Sequence, residues 1–165
     1  MNLVVTLLMA CGLLWQASTA ADAPNPKVPL GKPLTLKFTA TGGAKVDIVA
    51  LKGKVVLIDF WATWCPDCVT AVPKLKAAYA KNHTNGLAIV GISLDTSRKE
   101  LERFVKKNAM PWPQYFDGLE WENMIATQFG IEQTPTVWLV DKKGVLRYVF
   151  TEEDFSAKLT ALLAE

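Results

Sequence analysis

Between Lys54 and Trp61 the chain reads Val55-Val56-Leu57-Ile58-Asp59-Phe60, without the alternation of apolar and polar residues that marks a half-exposed strand. A strand of this kind is buried on both faces, which is the habit of parallel sheets covered by helices on either side. A second such run, Leu87 to Leu94, follows the turn signal Asn85-Gly86, and a helix-length segment from about Pro66 to Lys81 lies between the two. Strand, helix and strand predict a right-handed parallel crossover and hence an α/β fold.

The flanking segments extend this sheet. Leu34, Leu36 and Phe38 alternate with Thr35, Lys37 and Thr39, and Thr41-Gly42-Gly43 turns the chain toward Val46 and Ile48, which predicts an N-terminal hairpin. Ser97 with Glu100 fits a capping box opening a helix that ends near Asn108. Pro111 and Pro113 confine the next strand, through Phe116, to a sheet edge. Leu119 to Phe129 is predicted as one helix stopped by Gly130. Thr136 to Val140 and Val145 to Phe150 form an antiparallel hairpin, and Thr151 and Asp154 cap a last helix that turns Phe155, Leu159 and Leu162 inward. Of 165 residues half are apolar, enough for one domain with a full core and no structural metal. The 18 Lys and Arg against 16 Asp and Glu form no basic block, so nucleic acid is not an expected partner.

Residues 1–20 carry no Asp, Glu, Lys, Arg or His, and the apolar run Leu3 to Trp15 is thirteen residues, too short to span a bilayer. Ser18-Thr19-Ala20 places small residues where signal peptidase requires them, so residues 1–20 are expected to be a secretory signal cleaved before Ala21. An uncleaved membrane anchor and lipidation at Cys11 are the alternatives. Residues 21–33, with four prolines, form an extended lead-in, and residues 34–165 form the domain. The mature chain then holds two cysteines, Cys65 and Cys68. A disulfide between them closes almost no loop, which is a poor staple.

The pair sits in Trp61-Ala62-Thr63-Trp64-Cys65-Pro66-Asp67-Cys68, where a buried strand hands over to a helix. Pro at the first helical position makes Cys65 the N-cap and Cys68 the third helical residue. Unpaired amides and the positive end of the helix dipole favour a thiolate at Cys65, the attacking species in disulfide exchange. Cys68, one turn along and facing the core, is placed to resolve the mixed disulfide. A bland structural disulfide or half of a metal site are the competing readings. His83 is the single imidazole available, and it reads as a solvated turn residue. No metal and no cofactor beyond the cysteine pair are expected.

Asp59 is the one polar side chain in its strand, so burial should raise its pKa. Pro66 and Asp67 separate the cysteines and tune them. A carboxylate about 6 Å from the Cys65 sulfur disfavours the thiolate by about 0.7 to 3 kcal/mol, which makes the dithiol a better reductant. Trp61 and Trp64 are expected to form an apolar collar for an extended peptide, with Trp61 in the core and Trp64 on the surface. Trp112, Trp121 and Trp138 follow helix or strand periodicity and are expected to pack inside.

The stretch from Leu51 through Val55-Val56-Leu57-Ile58-Asp59-Phe60-Trp61-Ala62-Thr63-Trp64 to Cys65 resembles the thioredoxin superfamily, and within it the exported TlpA/ResA-type branch, over about residues 30–165. The resemblance implies a thioredoxin-like fold, a central mixed sheet flanked by helices, with an N-terminal β-hairpin and an inserted helix plus short strand before a cis-proline loop. The 41 residues between Leu94 and Thr136 leave room for that insertion. Pro73 matches the family's helix-kinking proline. Gln133-Thr134-Pro135-Thr136 matches its cis-proline loop, which implies that Thr134 and Pro135 bind substrate like an added strand. Asp59 matches the acid that accepts or delivers the proton of the second cysteine, while the family's accompanying lysine corresponds to Gly91. Ala71 stands where ResA-type proteins often carry glutamate. Asp59 is therefore expected to serve alone.

These readings predict an extracytoplasmic thiol-disulfide oxidoreductase in the bacterial periplasm or on the outer face of the membrane, with a tether possible. It would reduce disulfides of exported proteins as a monomer, drawing electrons from a membrane thiol-exchange protein by the resemblance. A disulfide oxidase or isomerase with the same residues, and a non-catalytic thioredoxin-like chaperone or Cu(I) carrier, are the alternatives.

Overall fold

The structure, a computed structural model, describes residues 27–150 and 155–165. The expected signal at 1–20, the start of the lead-in and the helix caps at Thr151 and Asp154 lie outside the described residues.

Among the described residues, seven strands and four α-helices follow the order β1 (Lys37–Thr39), β2 (Lys45–Asp47), β3 (Val55–Trp61), α1 (Pro66–Asn82), β4 (Leu87–Ser93), α2 (Arg98–Lys107), β5 (Gln114–Tyr115), α3 (Met124–Phe129), β6 (Thr136–Val140), β7 (Leu146–Phe150) and α4 (Ser156–Ala164). The main sheet has strand order β5-β4-β3-β6-β7. β3 pairs parallel with β4 and antiparallel with β6, so the sheet is mixed and β3 is central. Every residue of β3 is buried, as its unbroken apolar run requires. This is the thioredoxin-like α/β fold with helices on both faces of a mixed sheet.

Two local expectations need correction. The N-terminal hairpin forms, with Phe38 opposite Val46, but Ile48 does not continue its strand. Asp47 accepts a hydrogen bond from the Val49 amide at 3.0 Å and starts a 3-10 turn over Ile48–Leu51 instead. An Asx turn of this kind offers the backbone a partner that the ladder would otherwise supply. The segment Leu119 to Phe129 is not one helix either. A 3-10 turn at Glu120–Glu122 ends at Asn123, whose side chain accepts from the amides of Ile125 and Ala126 at 3.0 Å and begins α3 anew. Asn is a strong N-cap, and its cap here outweighs a continuous apolar periodicity. Gly130, at φ +71°, ends α3 in the left-handed conformation that glycine tolerates.

The proline-bound segment forms the two-residue edge strand β5, parallel to β4, with Gly91 opposite Gln114. The described part of the lead-in is tied to the domain: the Lys27 amide donates to the Phe129 carbonyl and the Gly31 amide to the Leu146 carbonyl. No helix among the described residues is long and apolar enough to cross a membrane.

Candidate active site

The end of β3 and the start of α1 meet over residues 62–65, and buried polar groups hold that turn in place. Thr63 donates to Asp95 from its amide at 3.0 Å and from its hydroxyl at 2.6 Å. Asp95 also accepts from the Ser93 hydroxyl at 2.7 Å, so the ends of the parallel strands β3 and β4 are joined by one carboxylate. The Trp64 indole donates to the Leu94 carbonyl at 3.3 Å. The signal for this network, a Ser-Leu-Asp sequence at the end of a buried strand, was present but indistinct among ordinary loop starts.

Cys65 is the N-cap of α1, with Pro66 in the first turn, and its sulfur accepts from the Cys68 amide at 3.2 Å. The two cysteines are bonded to each other, with Cα atoms 5.3 Å apart. Both cysteines are buried, Cys65 at 5% exposed and Cys68 at 2%. Asp67 is exposed beside them in the first turn. A 17-residue helix directs its positive end at Cys65, where a thiolate gains from the orphan amides. Pro73 lies inside α1.

Asp59 is 3% exposed in the middle of β3, and burial pushes its carboxyl up to about 7. The desolvated carboxylate loses water without gaining a charge partner, so the neutral acid is favoured. Thr134 and Pro135 are half-buried and joined by a cis peptide bond directly before β6. Thr136 stands opposite Phe60 in the antiparallel β3–β6 register, which brings the Thr134-Pro135 loop to the same end of the sheet as Cys65.

The aromatic side chains divide differently from the periodicity argument. Trp61 is buried, and its indole donates to Gln114 Oε1 at 2.9 Å. Trp112 and Trp138 are buried as expected. Trp121 is not: it is 41% exposed and packs against Trp64, itself 46% exposed, with ring centroids 6.0 Å apart. The break at Asn123 explains this, because it turns residues 119–122 off the helical face that would have buried Trp121. Leu119 and Met124 are exposed in the same segment. His83 ends α1, the opposite end from Cys65, and stacks on Tyr79 with centroids 5.0 Å apart.

Residues 21–163 match the family description Redoxin. The chain belongs to the Redoxin family. Among its curated relatives, the thiol-disulfide oxidoreductase ResA of Bacillus anthracis is 30% identical over 144 residues, covering 87% of this chain and 82% of the relative. The thiol:disulfide interchange protein DsbE of Escherichia coli K12 is 29% identical over 156 residues, covering 88% and 80%. A solved thiol-disulfide oxidoreductase of Bacteroides fragilis superposes with a TM-score of 0.70 at 28% identity, covering 79% of this Redoxin chain and 99% of that one.

Proposed function

We infer that the chain is a thiol-disulfide oxidoreductase working through Cys65 and Cys68, and we propose that it runs as a reductant of exported proteins outside the cytoplasm. The observation that carries this is the bonded cysteine pair at a helix N-terminus, with Cys65 as the N-cap. A disulfide in that position closes a loop too short to staple a fold and lies where a thiolate is favoured. The relatives are named for the same exchange.

In the reductive direction the Cys65 thiolate attacks one sulfur of a substrate disulfide, forming a mixed disulfide and releasing the other substrate sulfur as a thiolate. Asp59 takes the proton of Cys68, and the Cys68 thiolate attacks the Cys65 sulfur. The Cys65–Cys68 disulfide forms, the second substrate sulfur leaves, and two electrons have passed to the substrate. The pair returns to the dithiol by the same exchange with a donor dithiol, supplied in this reading by a membrane thiol-exchange protein. No metal or further cofactor takes part.

Thr134 and Pro135 present their backbone to the extended substrate chain, and the adjoining Trp64 and Trp121 rings supply an apolar flank. One chain holds all of these residues, so a monomer suffices. Reduction is favoured over oxidation by the exposed Asp67 carboxylate, which disfavours the Cys65 thiolate and with it the dithiol form. The apolar N-terminal run supports export.

Equilibration of the protein against defined thiol-disulfide buffers, read by differential alkylation, tests the direction. A potential near about −270 mV is expected of a reductant. A value near about −120 mV would make the chain an oxidant and remove the role given to Asp67. Cys68→Ser is expected to accumulate a mixed disulfide through Cys65, whereas Cys65→Ser accumulates none. Equal and slow alkylation of both cysteines in the dithiol form would favour a binding module instead.

A further inference from the structure

Asp59 has a buried polar neighbour that is remote in sequence. In the sheet register Asp59 stands beside Gly91, and Gly91 beside Gln114, so the three positions form one row across β3, β4 and β5. Side chains in register on neighbouring strands share a face. Gln114 is 2% exposed, and its side chain lies back over Gly91: a methyl group added there would collide first with Oε1 and would fall 2.7 Å from Cδ and 2.9 Å from Nε2 of the carboxamide. The amide thus fills the space a side chain at position 91 would occupy. That space is about one strand spacing, ~4.8 Å, from Asp59.

The two ends of this amide have different fates. The Trp61 indole, two residues along β3 from Asp59 and on the same face, donates to Oε1 at 2.9 Å. An indole N–H can only donate, so this contact fixes which end of the amide is oxygen. Nε2 is left buried with no acceptor. A buried donor without a partner is unfavourable, and an ionised carboxylate one strand away is the acceptor that removes the penalty.

We propose that Gln114 is a positioning residue for Asp59: when Asp59 ionises, its carboxylate takes the unpartnered Nε2–H through one bridging water, and the amide so holds the ionised acid ready for the proton of Cys68. Gly91 is required because any larger residue would expel the amide from the row. The proposal deepens the exchange reading above and rests on Asp59 as the proton acceptor.

Few other groups compete for Asp59. Gly91 and Val137 flank it in the sheet and do not titrate. α1 buries Cys68, Val72 and Leu75, of which Cys68 alone ionises, and only as a free thiol. α2 contributes Leu101 and α4 Leu159 and Leu162. Asp95 is engaged by Thr63 and Ser93, Asp141 by Arg147, and the Tyr115 hydroxyl by Asp117.

The test titrates the Asp59 carboxyl carbon by NMR in the dithiol and disulfide forms, alongside the pH profile of mixed-disulfide resolution in a single turnover. A hydrogen bond to the charged form lowers a carboxyl pKa, so Gln114→Met is expected to move the Asp59 midpoint up by about one pH unit, a tenfold gain in proton affinity. Gln114→Glu keeps an acceptor for Trp61 but replaces the donor with a charge, and moves the midpoint further up. Gly91→Ala displaces the amide while leaving Gln114 and Trp61 chemically intact, and moves it in the same direction should Gln114→Met fail to fold. An unchanged midpoint in Gln114→Met, or in Gly91→Ala if that variant alone folds, overturns the proposal. A midpoint that moves while the resolution profile stays put upholds the Gln114–Asp59 pair and removes Asp59 from proton transfer.

Discussion

Asp59 is expensive for the fold once its carboxyl ionises. Burial holds its folded carboxyl at about 7, above the ordinary aspartate value of 3.8. Below about pH 4 both folded and unfolded chains hold the proton, and the group has no effect on stability. As pH rises from about 4 to 7 the unfolded chain releases the proton first, so stability falls across that window and then levels. Asp59→Asn is therefore expected to be more stable than wild type at pH 8 by up to about 4 kcal/mol relative to any difference at pH 4. Urea unfolding of the disulfide form at pH 4, 6 and 8 measures this. An equal difference at all three would mean that another group carries the pH dependence. The lone polar residue in an apolar strand made Asp59 legible as a buried acid from sequence alone, because burial in a central strand follows from its neighbours. Its lateral partner across Gly91 was invisible, since nothing local links positions 59 and 114.

At the level of elements, the segment between β5 and α3 departs furthest from its periodicity and carries the exposed Trp121 that packs on Trp64. Asn123 is fully buried, donates to the Ser93 carbonyl at 3.1 Å and to Asp117 at 3.1 Å, and caps α3. These bonds anchor the turn to the end of β4 and put Trp121 against Trp64. Asn123→Ala removes a cap and leaves a buried carbonyl without its donor, for an expected loss of about 2–3 kcal/mol in urea unfolding. Trp121→Ala, by contrast, alters an exposed side chain and should leave stability within about 0.5 kcal/mol. It is expected to raise KM for a disulfide-bonded peptide by roughly threefold to tenfold. An unchanged KM would take Trp121 out of the docking face. Apolar spacing over Leu119–Phe129 pointed to one helix because periodicity registers which residues are apolar, not which polar side chain will be buried and used as a cap.

Across the whole molecule, the cysteine pair lies at the C-terminal ends of two adjacent parallel strands, the end of an α/β sheet where ligands ordinarily bind. The sheet, not the disulfide, supports the fold. With only Pro66 and Asp67 between the cysteines, chain-entropy arguments give the bond about 2 kcal/mol of stabilisation. Reduction is expected to lower the unfolding free energy by no more than about that amount and to leave one cooperative transition. Collapse of the fold on reduction would show a structural staple and contradict a pair built to cycle.

Sequence by itself determined the parts that depend on neighbours along the chain. Unbroken apolar runs specified buried strands, Pro66 after Cys65 specified a helix start that brings two sulfurs within one turn, and Ser97 and Gly130 marked helix ends. Those outcomes rest on backbone sterics, capping and burial, which act over a few residues. Tertiary structure alone decided that Asp95 holds Thr63 across 32 residues and that Gln114 meets Trp61 across 53. It also decided that Trp121 is drawn to Trp64 rather than to the core. Such contacts bring distant side chains to adjacent strands or loops, and their energies exist only once the register of the sheet has set them side by side.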